Sequence, residues 1–136
     1  RPYGAGCTGG GGLRPLAWTR GGAPAPGNGA FAWHLSRGPA GGAALLLLGT
    51  SRTTSSLGPL PLALDPVGMK GCSLHTNILA AANLVLDGKG RAEAALPVPA
   101  DPALRGLSLY GQFLAADPGA NPAGVIATAG LAVTVQ

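Results

Sequence analysis

The side chains with the widest chemical range in this sequence are two cysteines, Cys7 and Cys72, two histidines, His34 and His75, and the carboxylates Asp65, Asp87, Glu93, Asp101 and Asp117. Paired, the thiols would staple the N-terminal end to the middle of the chain. Closing so long a loop removes entropy from the unfolded chain and would contribute about 4 kcal/mol. The alternative is two free thiols in a reducing compartment. A histidine beside a carboxylate could serve as a general base or hold a metal, but no pair stands at ligand spacing. His34 falls on the strand face opposite Trp33 and reads as a surface or interface residue, and His75, beside Cys72, reads the same way.

Other signatures of chemistry are formal only. Gly4-Ala5-Gly6-Cys7-Thr8-Gly9 matches G-x-G-x-x-G, but a dinucleotide site needs a strand before it and a helix N-terminus after it. Here only three residues precede it and three more glycines follow. A phosphate-gripping G-K-[ST] and a G-x-S-x-G elbow are both missing. No catalytic residue, cofactor-binding residue or metal ligand is assigned, and the chain reads as a non-enzyme that needs no cofactor. Among the aromatics, Trp33 is in register with Phe31 and Leu35 and belongs to a core. Trp18 and Tyr110 remain as possible stacking platforms for a sugar. The hydroxyl-rich run Thr50 to Ser56 reads as a solvated loop.

Composition bounds the scaffold. The 136 residues suit one domain, 1–136, and although 24 are Gly and 13 Pro, 46% are hydrophobic and 10% charged, the opposite of a disordered balance. With aromatics at 4%, the core must be built from Leu, Ala and Val. The net charge of +4 comes from basic residues scattered singly, so no nucleic-acid stripe forms. The longest apolar run, Ala43 to Leu48, is far short of the ~20 residues of a membrane span. The chain starts at Arg1 rather than Met and is expected to be a processed product; with two cysteines able to pair, a secreted, extracellular or cell-surface location is expected.

Period-two alternation locates the strands. Residues 1–12 form a glycine-rich strap. Strands are expected at Leu13–Thr19, Ala30–Ser36 and the Leu45–Leu48 run, whose continuous apolar character asks for cover on both faces. Leu60–Leu64 carries Pro61 and is demoted to an edge. Ile78–Leu86 is helix or strand by propensity, since Ala80-Ala81-Ala82 favours helix; strand is preferred because Asp87-Gly88-Lys89-Gly90 reads as a hairpin turn into Arg91–Leu96. Leu107–Ala115 and Gly130–Gln136 complete the pattern, with Leu131, Val133 and Val135 sharing a face. About eight short strands separated by turns predict an all-β fold, an antiparallel β-sandwich with one disulfide.

Several of these runs together carry a resemblance: Tyr3-Gly4-Ala5-Gly6-Cys7, Leu45-Leu46-Leu47-Leu48-Gly49, Gly71-Cys72-Ser73-Leu74, and Gln112-Phe113 leading to Asp117-Pro118-Gly119-Ala120-Asn121-Pro122. Across nearly its whole length the chain resembles a small Gly/Pro-rich, two-cysteine β-domain that recurs in secreted bacterial proteins, commonly of unknown function. That resemblance implies an extracellular accessory or structural module in which the two cysteines are structural partners. It carries no catalytic motif.

The reading that follows is an extracellular structural protein, a subunit that assembles with copies of itself into a filament, sheath or surface layer. Low charge favours close packing of copies, and strand addition is a natural joint. The expected joint is Arg1, Pro2 and Tyr3 of the strap with Leu131, Val133 and Val135 of the last strand. The alternative is a monomeric secreted module that binds or anchors to a cell-surface glycan or a partner protein through Trp18 or Tyr110.

Overall fold

The computed structural model describes residues 1–136. It is all-β, with thirteen strands and two short 3-10 turns, Asp65–Val67 and Pro102–Leu104. The strands are β1 (Pro2–Tyr3), β2 (Leu16–Arg20), β3 (Ala32–Ser36), β4 (Ala43–Gly49), β5 (Thr54–Ser55), β6 (Gly58–Pro59) and β7 (Leu62–Ala63). They continue with β8 (Ser73–Leu74), β9 (Ala80–Val85), β10 (Ala92–Ala95), β11 (Ser108–Ala116), β12 (Val125–Ala127) and β13 (Gly130–Thr134). A six-stranded sheet runs β1-β13-β11-β4-β9, with β12 also on β11, and a three-stranded sheet runs β10-β3-β2. Every pairing is antiparallel.

The inward faces are the ones the alternation assigns. Phe31, Trp33 and Leu35 of the small sheet meet Leu46, Phe113, Ala115, Leu131 and Val133 of the large one in a single core. Trp33 is fully buried and packs against β11 where that strand has no side chain: a Cβ on Gly111 would stand 2.6 Å from the Trp33 ring. β4 has the predicted cover on both faces, with Leu46 in the core and Leu47, also buried, on the outer side. Cover there comes from the segment around β8. Gln112, the partner of Leu47 in the ladder, donates from Nε2 to the Ser73 carbonyl at 2.7 Å and accepts at Oε1 from the His75 amide at 2.9 Å.

Ile78–Leu86 resolves as strand β9, because its pairing with β4 outweighs the local helical preference of three alanines. Its turn is not a hairpin, however. Asp87-Gly88-Lys89-Gly90 is tight, with Asp87 Oδ1 accepting from the amides of Lys89 and Arg91 at 2.8 and 3.0 Å, but β9 pairs with β4 and β10 with β3. The chain turns a corner from one sheet to the other. Gly90 makes this possible: its φ is +73°, and a Cβ there would collide with the Gly38 carbonyl.

The last stretch also differs from expectation. β12 and β13 both pair with β11, and between Gly111↔Leu131 and Leu114↔Ala127 the β12–β13 side holds one extra residue, a β-bulge at 128–129. Thr128 fills it, its hydroxyl accepting from the Phe113 amide at 3.0 Å.

Cys7 and Cys72 form a disulfide that spans 65 residues, with Cα atoms 5.0 Å apart, and both are buried in the core. It fixes the strap beside β12, where the Cys7 amide donates to the Ala127 carbonyl at 3.0 Å. No helix is long and apolar enough to cross a membrane. Replacing both cysteines by serine is expected to lower unfolding stability by about 4 kcal/mol. Urea denaturation of the oxidised protein and of Cys7→Ser/Cys72→Ser measures this, and equal midpoints would show that the staple adds nothing.

Candidate functional site

The outer face of the small sheet gathers the side chains that the sequence leaves scattered. Cross-strand register puts Trp18 of β2, His34 of β3 and Glu93 of β10 side by side in one row. Trp18 is held by a hydrogen bond from Nε1 to Ser36 Oγ at 3.2 Å, and its ring meets that of His34 at 4.4 Å between centroids. Arg20 reaches across the row, its guanidinium 5.6 Å from the Trp18 ring and 3.9 Å from Glu93 Oε1. Under these three side chains His34 is only 5% exposed, although no further layer of the fold covers this face.

His34 Nδ1 is buried without a hydrogen bond; Glu93 Oε1 stands 3.6 Å away, just too far. A buried polar atom left unpaired costs about 1–3 kcal/mol. Burial, and then the nearby Arg20, push the His34 pKa below its ordinary value, and Glu93 opposes them. Next to the row opens a recess of about 360 Å³ lined by His34, Glu93, Arg20, Arg91 and Asp87, with Val85 and Ala92 as its apolar part. Arg91 lies 3.6 Å from Asp87, whose carboxyl is held below its usual pKa by the backbone amides of Arg91 and Lys89.

Two guanidiniums and two carboxylates balance around an imidazole. This set is balanced in charge and offers both hydrogen-bond donors and acceptors, and it contains no hydroxyl, thiol or amine that could act as a nucleophile. No group of three His, Cys, Asp or Glu side chains converges to hold a metal.

The other candidate residues are placed differently. Tyr110 is half-buried on the outer face of the large sheet, the opposite side of the sandwich from Trp18, so the two cannot form one platform. Its ring abuts Tyr3, which lies under the Arg52 guanidinium at 4.0 Å and donates to the His75 carbonyl at 2.6 Å. Burial raises the Tyr3 pKa to about 12. His75 is buried too, its Nε2 2.8 Å from the Ala5 carbonyl, so both histidines are buried within the chain where a surface or interface position was expected.

The residues of the expected joint are paired within the chain, with β1 at the edge of the sheet. Pro2 and Tyr3 already pair with Leu131 and Gly130 of the same chain, and the Arg1 carbonyl accepts from the Ala132 amide at 2.8 Å. Leu131, Val133 and Val135 are buried. The strap occupies this edge from within the molecule, which is the satisfaction that backbone groups of a sheet edge require.

The lowered His34 pKa fixes a pH response. The unfolded chain takes up its proton near the ordinary pKa of ~6.5, before the folded protein does, so this residue favours folding above that pH and the contribution falls as pH drops through it. Chemical denaturation at pH 7.5 and 5.5 is expected to show a loss of stability on acidification that shrinks in His34→Gln; an identical loss in the variant would assign the effect elsewhere.

No protein-family model, curated protein or solved structure matches the chain, so its function has to be read from its own geometry.

Proposed function

We propose that this is a secreted structural domain that associates with copies of itself, and that β9 is the joint. The disulfide is compatible with secretion, since such bonds persist in oxidising compartments. The observation that carries the assembly reading is the open edge of the large sheet. Leu86 donates to the Gly42 carbonyl at 2.7 Å, and by antiparallel alternation Leu84 and Ala82 also bond to β4. Ala81, Asn83 and Val85 therefore direct their backbone groups outward, where they have no partner.

Sheet edges are normally protected from pairing by charge, proline or bulges. Ala80–Val85 contains no charged residue and no proline, and Val85 is 77% exposed. Two copies related by a two-fold axis at Asn83 would align Ala81 with Val85 and face one Asn83 amide with the other. Such a ladder forms about six hydrogen bonds. At roughly 1 kcal/mol net each, they only offset an association cost of about 4–15 kcal/mol, so apolar burial has to supply the surplus. Leu79, two-thirds exposed, leads from β9 into an apolar recess of about 230 Å³ that it shares with Leu48, Leu96 and Leu109. A two-fold joint closes a dimer. A filament, sheath or layer needs a second contact, for which exposed Leu57 and Val67 are available.

A second reading, a secreted binding or anchoring module, is favoured by the recess beside His34.

Sedimentation velocity over a micromolar-to-millimolar series tests the joint. The natural chain is expected to shift from monomer to larger species, and Asn83→Lys to stay monomeric with stability changed by less than about 0.5 kcal/mol. A natural chain that remains monomeric throughout would discard self-assembly.

A further inference from the structure

We propose that the recess on the outer face of the small sheet is a sugar-binding site, and that its ligand is an uncharged stretch of polysaccharide. The inference deepens the second reading above and rests on other observations than the joint at β9, although Val85 belongs to both surfaces. Its first support is His34, a polar side chain more than nine-tenths buried that lines the recess and lacks a partner at Nδ1. Nδ1 is itself enclosed, with the half-exposed Glu93 carboxylate 3.6 Å away, so a ligand entering the recess meets this pair through Glu93.

The second support is the unspent hydrogen-bonding capacity of the rim. The charged side chains approach one another at 3.9 Å for Arg20 and Glu93 and 3.6 Å for Arg91 and Asp87, distances at which they attract without forming hydrogen bonds. Both guanidiniums and the Glu93 carboxylate thus keep their donors and acceptors free. A sugar hydroxyl gives and accepts at the same oxygen, and matches neighbouring guanidinium and carboxylate groups in a way that a simple ion does not. An anionic ligand would meet Glu93 and Asp87, and a cationic one Arg20 and Arg91.

The third support is shape. The volume of about 360 Å³ falls within the ~300–1,000 Å³ range of small-ligand sites. Val85 and Ala92 offer apolar surface to the C–H groups of a sugar ring. Trp18 borders the row on its other flank, 41% exposed and held by Ser36 and His34, a rigid ring over which the next sugar unit can lie.

The test is an NMR titration with cellohexaose, maltohexaose and xylohexaose as neutral probes and hexagalacturonate as an acidic one. It is run on the natural chain and on Asn83→Lys, which removes the proposed joint without touching the recess. Saturable shifts centred on Trp18, His34, Arg91 and Glu93 are expected with at least one neutral probe, in both proteins. Glu93→Gln and Trp18→Ala are each expected to weaken that binding about tenfold, while Tyr110→Ala, on the opposite face, leaves it unchanged. The proposal is overturned if none of the three neutral probes shifts these residues, if only hexagalacturonate saturates, or if Tyr110→Ala abolishes binding while Trp18→Ala does not.

Discussion

The amide of Gln112 is the interaction on which the outer layer of this protein depends. It sits fully buried near the middle of β11, the central strand of the large sheet, and makes three hydrogen bonds: to the Ser73 carbonyl, to the Thr128 carbonyl at 2.8 Å, and from the His75 amide. One side chain thereby joins the sheet to the segment that covers Leu47 and to the bulge between β12 and β13. Each bond adds about 1 kcal/mol net, but losing the amide would leave two buried backbone groups unpaired at roughly 1–3 kcal/mol each, and the part-buried Ser73 carbonyl besides. That sum rivals the staple between Cys7 and Cys72. The two act on the same segment, and His75, placed by Gln112, in turn holds the strap through the Ala5 carbonyl. A glycine-rich stretch with few side chains of its own is therefore ordered by groups that reach it from elsewhere.

The parts of this architecture that were legible in the sequence are those fixed by burial on one face. Phe31, Trp33 and Leu35 alternate because β3 has one side in the core, and the Leu45–Leu48 run is continuous because β4 has cover on both. What was not legible depends on partners distant in sequence. Asp87-Gly88-Lys89-Gly90 has the local chemistry of a hairpin turn, yet the strands that flank it belong to different sheets, and only the ladder with β4 and the approach of Gly90 to Gly38 decide that. β12 is three residues long and ends in a bulge, so it leaves no periodic trace. Alternation places His34 on the face opposite Trp33, but a strand pattern cannot tell that Trp18, Arg20 and Glu93 close over that face. The row of Trp18, His34 and Glu93 leaves no trace in the sequence for the same reason: it is made by pairing, not by spacing.

Low charge has opposite consequences on the two surfaces discussed. Along β9 it leaves a flat edge with nothing to repel a second copy. Over the small sheet, Arg20 with Glu93 and Arg91 with Asp87 form balanced pairs, which keeps the local field small while retaining directional hydrogen bonding. A surface of that kind discriminates by geometry rather than by long-range attraction, and its affinity should depend little on salt.

The two surfaces also meet. Val85 ends β9 and at the same time lines the recess, so a two-fold pairing of β9 strands would bring two recesses to either side of the joint. A polysaccharide repeats its units, and a dimer holding two adjacent sites would engage the second at the high effective concentration set by the first. Weak binding at each site and weak pairing at each edge would then reinforce one another, because a chain long enough to span both recesses also holds the two copies together. In that arrangement the marginal energetics of the edge would be an advantage: copies would stay separate in dilute solution and associate where polysaccharide gathers them.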